Sequence, residues 1–290
     1  MTICTRIFML GLLLSTCACT PGSYGDPNRE TVTIHVFTDM DVVVNESDNE
    51  RNINRLEFIT KGIKTQYLAD EKIGPIECTI HPLYYKTQDK QSVAVLSISP
   101  DQLKDVGDVE RNHLMRAFNP LNSYQKFKKA KLSGNQNVLK TNKNIWHSVY
   151  FFADMAKTSH SSELLIIYYS SMLEGDGGNP EAGMYSFSTY FDPYNHSLGK
   201  KLNATEIEKA MSDLDMPDSP ICRALTQEKN KLERLVNKKN IRLKLVRDSK
   251  DELFDDDSNS DPRILENFWE KFFGKLGIEA EWTDGNDLFR

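Results

Sequence analysis

The chain has 290 residues, a formal net charge of −6 and 39% hydrophobic side chains. This is enough apolar material for one large core, and the mild acidity, with no basic block, sets nucleic acid aside as a partner. No segment is an uninterrupted apolar stretch of the roughly 20 residues that a spanning helix needs.

The first element is a leader. In MTICTRIFMLGLLLSTCAC, Arg6 precedes an apolar run from Ile7 to Leu14, and small residues with Cys17 and Cys19 follow at once. A charged start, a short apolar core and a small-residue exit describe a secretory signal, here residues 1–19. The tetrads Leu-Ser-Thr-Cys and Thr-Cys-Ala-Cys resemble the lipobox of bacterial lipoproteins, whose cysteine is acylated after cleavage. Cys19, after the small Ala18, is the expected lipidation site, and Cys17, with Leu14 three residues before it, is the alternative. The resemblance implies an exported, lipid-anchored protein of the cell envelope, at the outer membrane rather than the inner. Loss of the leader removes Arg6 alone, so the charge moves from −6 to about −7.

Residues 20–30, TPGSYGDPNRE, read as a flexible tether, and residues 31–290 as one domain of the chain's remaining mass. Apolar, β-rich runs follow at 31–37, 76–85, 92–99, 163–170, 241–247 and 278–282. Several are nearly continuous in Val, Ile, Leu and Tyr, as strands covered on both faces are. Helix-period stripes lie at 52–68 and 145–155, and Ser219-Pro220 and Asp261-Pro262 open two more helices, the second closed by Gly277. Only residues 86–91 separate the second and third strands, too few for a parallel crossover, so these two form an antiparallel hairpin. The acidic run from Asp248 to Asp261 fits no calcium loop and reads as a solvated surface. Cys78 and Cys222 are expected as two buried thiols rather than a disulfide. The expected fold is a three-layer, doubly wound α/β domain, with a mostly parallel sheet and one antiparallel edge strand.

In such sheets ligands sit beyond the carboxyl ends of strands where the strand order reverses. This directs attention to Thr38-Asp39-Met40-Asp41 and to Ser170-Ser171-Met172-Leu173-Glu174. With the hairpin, the acidic turn after strand one, TNKNIWHSVYFFADMAK running into LLIIYYSSMLE, and the terminal FWEKFFGKLGIEAEW, the chain resembles the von Willebrand factor A family over residues 31–283. Metal-bearing members use Asp-x-Ser-x-Ser after strand one, a later Thr, and an Asp after strand four. Here Asp39 matches the first Asp, Asp41 and Val43 stand at the serine positions, Thr141 is the candidate threonine and Ser171 replaces the second Asp. The resemblance thus implies a degenerate Mg²⁺ or Mn²⁺ site at Asp39, Asp41, Thr141 and Ser171. Its bland rival, that Asp39 and Asp41 cap a helix or bond the turn backbone, is the preferred reading.

IHVFTDMDVVV is also similar to the haloacid-dehalogenase pattern. That resemblance implies a Mg²⁺-dependent phosphohydrolase with Asp39 as nucleophile, Asp41 as acid/base, Ser170 on phosphate, and Asp248 or Asp251 on the metal. Val42, where that family has glycine, and the short hairpin both count against it. Downstream, Met184–Phe191 is dense in aromatics. Its rings are expected to be packed, and Tyr190 and Tyr194, where exposed, are candidate partner-binding anchors. The six histidines show no zinc-ligand spacing. The expected activity is non-enzymatic recognition of another protein, with the phosphohydrolase as alternative.

Overall fold

The computed structural model describes residues 23–40, 46–83, 92–104, 106–125, 145–159, 161–172, 204–236, 240–247 and 263–283. Six strands form one sheet: β1 (Val32–Asp39), β2 (Ile76–Leu83), β3 (Ala94–Ile98), β4 (Glu163–Ser170), β5 (Asn240–Arg247) and β6 (Ala280–Trp282). Their order is β3-β2-β1-β4-β5-β6. All neighbours run parallel except β2 and β3, which pair antiparallel from Ile76 opposite Ile98 to Ile80 opposite Ala94. The fold is therefore α/β with a mostly parallel sheet and one antiparallel edge strand, as the short hairpin connection requires.

The central strands are covered on both sides, which is why they read as unbroken apolar runs. On one face Ile34, Val36, Cys78, Ile80, Leu165 and Ile167 pack against Leu56, Ile59 and Ile63 of α1 (Glu46–Ile63). On the other, Phe37, Leu164, Ile166, Tyr168, Leu243 and Leu245 meet a helical layer. That layer comprises α3 (Ile145–Val149), α4 (Phe152–Thr158), α5 (Ala204–Asp213), α6 (Pro220–Val236) and α7 (Ile264–Lys275). Helix α7 contributes six buried residues, Ile264, Leu265, Phe268, Trp269, Phe272 and Phe273. Gly277 closes it at φ 79°, a left-handed conformation that glycine adopts without a Cβ penalty.

Several boundaries differ from the sequence reading. The first helix begins at Glu46, six residues early, and its last turn, Lys64–Leu68, widens to a π-helix. The stripe at 145–155 divides at Tyr150-Phe151 into α3 and α4. Helix α2 (Asp108–Ala117), on the α1 side, escaped notice because it has no wholly buried residue and so no apolar stripe to betray it. Ser219 does cap α6, accepting from the Cys222 amide at 3.1 Å. Cys78 and Cys222 are both free thiols, Cys78 buried and Cys222 half-buried. The segment expected as a tether is bonded to the domain from Tyr24 onward. The Tyr24 amide donates to the Val106 carbonyl at 2.9 Å, and the Ile73 amide donates to the Tyr24 carbonyl at 2.7 Å.

An aromatic ladder crosses the sheet. His81 of β2 stacks on Phe37 of β1 at 4.8 Å, Phe37 on Tyr168 of β4 at 5.0 Å, and Tyr168 meets Phe273 of α7 at 5.6 Å. At its β2 end His35 Nδ1 and His81 Nε2 lie 2.9 Å apart, so one ring donates to the other. Burial lowers His35 from 6.5 to about 4, with Glu77 partly opposing, and burial, aided by His35, lowers His81 to about 3. The folded pair is neutral at pH values where the unfolded chain is protonated. Stability from this pair is thus complete above about pH 6.5 and is lost as pH falls from there through about 4 toward about 3. Urea unfolding of wild type and of His35→Gln/His81→Gln across that window will show a steeper fall for wild type. Parallel curves would refute the assignment.

Candidate functional site

Strands β1 and β4 are paired neighbours, from Thr33 opposite Leu164 to Thr38 opposite Tyr169, so their carboxyl ends meet at the top of the sheet. There the Asp39 side chain is wholly buried. Ser170 Oγ donates to Asp39 Oδ1 at 2.7 Å, and the Ser171 amide donates to Asp39 Oδ2 at 2.9 Å. The same Ser170 hydroxyl accepts from the Met172 amide at 3.0 Å. A carboxylate that receives both a hydroxyl and an amide is a charge-assisted clasp between the two strand ends.

The clasp sits over a strained residue. Met172 has φ 58°, the left-handed region, which costs a non-glycine residue on the order of 1 kcal/mol or more. Two bonds fix it there: its own amide to Ser170 Oγ, and Trp269 Nε1, which donates to the Met172 carbonyl at 2.8 Å. Trp269 of α7 thereby ties the last helix to the top of β4.

On the α1 side the guanidinium of Arg55, 8% exposed, donates to the Asp39 carbonyl at 3.2 Å. Its Nη1 also lies 3.4 Å from Asn52 Oδ1. Asn52 Nδ2 in turn donates to the Tyr124 hydroxyl at 3.0 Å, and that hydroxyl donates to Asn49 Oδ1 at 3.3 Å. This polar chain runs from the end of β1 along α1. Thr38 Oγ1, wholly buried beside Asp39, has no hydrogen-bond partner, and its register neighbour on β2 is Pro82.

Of the four residues singled out as metal ligands, the structure brings Asp39 and Ser171 together; Asp41 and Thr141 lie outside the described residues. Ser171 meets Asp39 through its backbone amide. Both oxygens of the Asp39 carboxylate already accept protein hydrogen bonds. Among the described residues no group of three or more His, Cys, Asp or Glu side chains could hold a metal ion. Tyr190, Tyr194, Asp248 and Asp251, together with the lipidation candidates Cys17 and Cys19, also lie outside the described residues. Ser170, singled out as a phosphate hydroxyl, instead bridges Asp39 and Met172. Arg55, Asn52 and Tyr124 were missed, since a lone arginine or asparagine on a helical stripe gives no signal of what its head group meets.

No protein-family model and no curated protein matches the chain. Among solved structures it is similar to the PilB minor pilin from Streptococcus sanguinis, at 11% identity and a TM-score of 0.38, over 90% of this chain and 60% of that one. The chain thus spans less than two thirds of that protein, and a likeness of this size carries no argument.

Two substitutions at the top edge have opposite expected signs. Asp39→Asn replaces one accepting oxygen by an amide NH₂, so the Ser170 hydroxyl and the Ser171 amide can no longer both donate to the side chain, and it should lower unfolding free energy by about 1–3 kcal/mol. Thr38→Val removes an unsatisfied buried hydroxyl at nearly constant volume and should leave stability unchanged or raise it by about 1 kcal/mol. Chemical denaturation of both variants checks the pair. A Thr38→Val variant destabilised by as much as Asp39→Asn would mean that the hydroxyl is in use.

Proposed function

We propose that the protein is a lipid-anchored component of the cell envelope whose von Willebrand factor A-like domain recognises another protein at the top edge of its sheet, without catalysis. The strand order β3-β2-β1-β4-β5-β6 with its single antiparallel edge supports the family reading. Fold alone does not assign an activity, so the weight falls on the site.

The observation that carries the non-enzymatic reading is the state of Asp39. An aspartate nucleophile must present a lone pair to the substrate phosphorus. Asp39 exposes none of its surface and directs one oxygen at Ser170 Oγ and the other at the Ser171 amide. The residue that both family resemblances place at the centre of their chemistry is spent on joining β1 to β4. The antiparallel β2–β3 pair also weighs against the phosphohydrolase alternative. What the top edge then offers is a firm rim for contact, with the exposed residues Glu50 and Arg51 near the start of α1.

The test uses the full-length protein in its own membranes. Palmitate label should enter the wild type and be lost on Cys19→Ala, or on Cys17→Ala if that residue is the anchor. With Mg²⁺ and an aryl phosphate the protein should release no phosphate. A cross-linked partner should be captured by wild type and not by Glu50→Arg. Mg²⁺-dependent hydrolysis abolished by Asp39→Asn would overturn the reading in favour of the phosphohydrolase.

A further inference from the structure

The chain's entry into the domain is tightly built. Tyr24 and Asp26 pair with Ile73 through two backbone hydrogen bonds, at 2.7 and 2.9 Å, the Tyr24 amide donates to the Val106 carbonyl at 2.9 Å, and Gly25 forms a parallel bridge with Ile73. A Cβ on Gly25 would lie 2.0 Å from the Leu103 carbonyl oxygen, so only glycine allows this approach. The Arg111 guanidinium covers the Tyr24 ring at 4.9 Å, and Arg29 Nη1 donates to Asp70 Oδ2 and to the Lys72 carbonyl, each at 2.7 Å. Glu30 then accepts from Ser162 Oγ just ahead of β4. All these partners lie at the sheet's lower edge. Ile73 precedes β2, Val106 follows the antiparallel β3, and Ser162 precedes β4. The clasp at Asp39 is at the opposite edge.

We propose that this lower edge, from the Tyr24 strap across Leu103–Lys104, is the face the domain turns to the lipid surface, with the Asp39 edge pointing away. The inference rests on the lipid-anchored reading above. Between Cys19 and Tyr24 the chain has five peptide steps, which span at most about 18 Å, and from Cys17 seven steps span at most about 25 Å. The eight residues of β1 rise roughly 25 Å from lower to upper edge. An anchor at Cys19 is therefore too short to let the domain invert and set its top edge on the membrane. Three ion pairs tie charges of the lower edge to one another, Arg29 with Asp70 at 2.7 Å, Lys104 with Asp101 at 2.6 Å and Arg242 with Glu163 at 2.8 Å. The same edge also carries Asp26, Glu71, Asp108 and Glu110, so charge does not draw it to headgroups, and the short docked tether sets the orientation.

The full acylated protein, carrying a fluorescent amino acid at position 104 or at position 50, is reconstituted into phosphatidylcholine vesicles that contain a nitroxide-headgroup lipid. The label at position 104 should be quenched several-fold more than the label at position 50, and adding anionic lipid should leave that contrast unchanged. Gly25→Val, which displaces the strap and lengthens the free tether, should shrink it. Equal quenching at both positions, or stronger quenching at position 50, overturns the orientation while leaving anchoring intact. A protein that fails to float with the vesicles overturns the anchored reading itself, and the orientation with it.

Discussion

The Asp39 carboxylate is the tie on which the upper part of this domain depends. Parallel strands are joined along their length by evenly spaced backbone bonds, but at their carboxyl ends the ladder stops and the chain must turn away. In this protein one buried carboxylate bridges that gap, receiving the Ser170 hydroxyl and the Ser171 amide. The consequences spread outward. Ser170, held by Asp39, accepts from Met172 and fixes its left-handed backbone, and Met172 then offers its carbonyl to Trp269 of α7. On the other side, the Asp39 carbonyl draws in Arg55 and with it the Asn52–Tyr124 chain. Removal of this carboxylate would take the acceptor from two buried donors at once, the Ser170 hydroxyl and the Ser171 amide, which is why such networks act as units.

Below this polar clasp the domain is held by apolar contact on both faces of the sheet. Phe37 and Tyr168 stack beneath the helical layer, and Tyr168 also hydrogen-bonds Ser148 of α3 through its hydroxyl. The ring keeps its apolar body in the core and its polar tip satisfied, the usual condition for burying a tyrosine. The His35–His81 pair finishes the ladder on the β2 side, where each imidazole meets the other's hydrogen-bonding need while both remain uncharged.

Much of the fold was legible in the sequence because burial leaves a periodic trace. Continuous runs such as Glu163–Ser170 marked strands, and the short link after β2 dictated the antiparallel pair. The helices that were missed or misjudged are those whose stripe is weak or interrupted: α2 with no wholly buried residue, α5 beyond the aromatic stretch, and the break at Tyr150-Phe151. The site was legible in part. Strand-end logic located Asp39, Ser170 and Ser171 correctly as neighbours, since topology alone brings the ends of β1 and β4 together. What each residue does there was not legible, because a carboxylate that clasps a turn and one that binds an ion have the same letter. Arg55, Asn52 and Tyr124 reach the site only through tertiary packing, and no local pattern announces that.

The two cysteines of the domain carry one further consequence. Cys78 is packed on the α1 face of the sheet, whereas the residues flanking Cys222, Ile221 and Leu225 of α6, belong to the core on the opposite face. The sheet itself stands between the thiols, well outside the roughly 7 Å Cα separation that a disulfide tolerates. Burial also pushes the Cys78 thiol up to about 12, which keeps it out of the reactive thiolate form. A chain built this way matures without a thiol oxidant. Joining these two thiols is no step in its folding, in oxidising and in reducing surroundings alike.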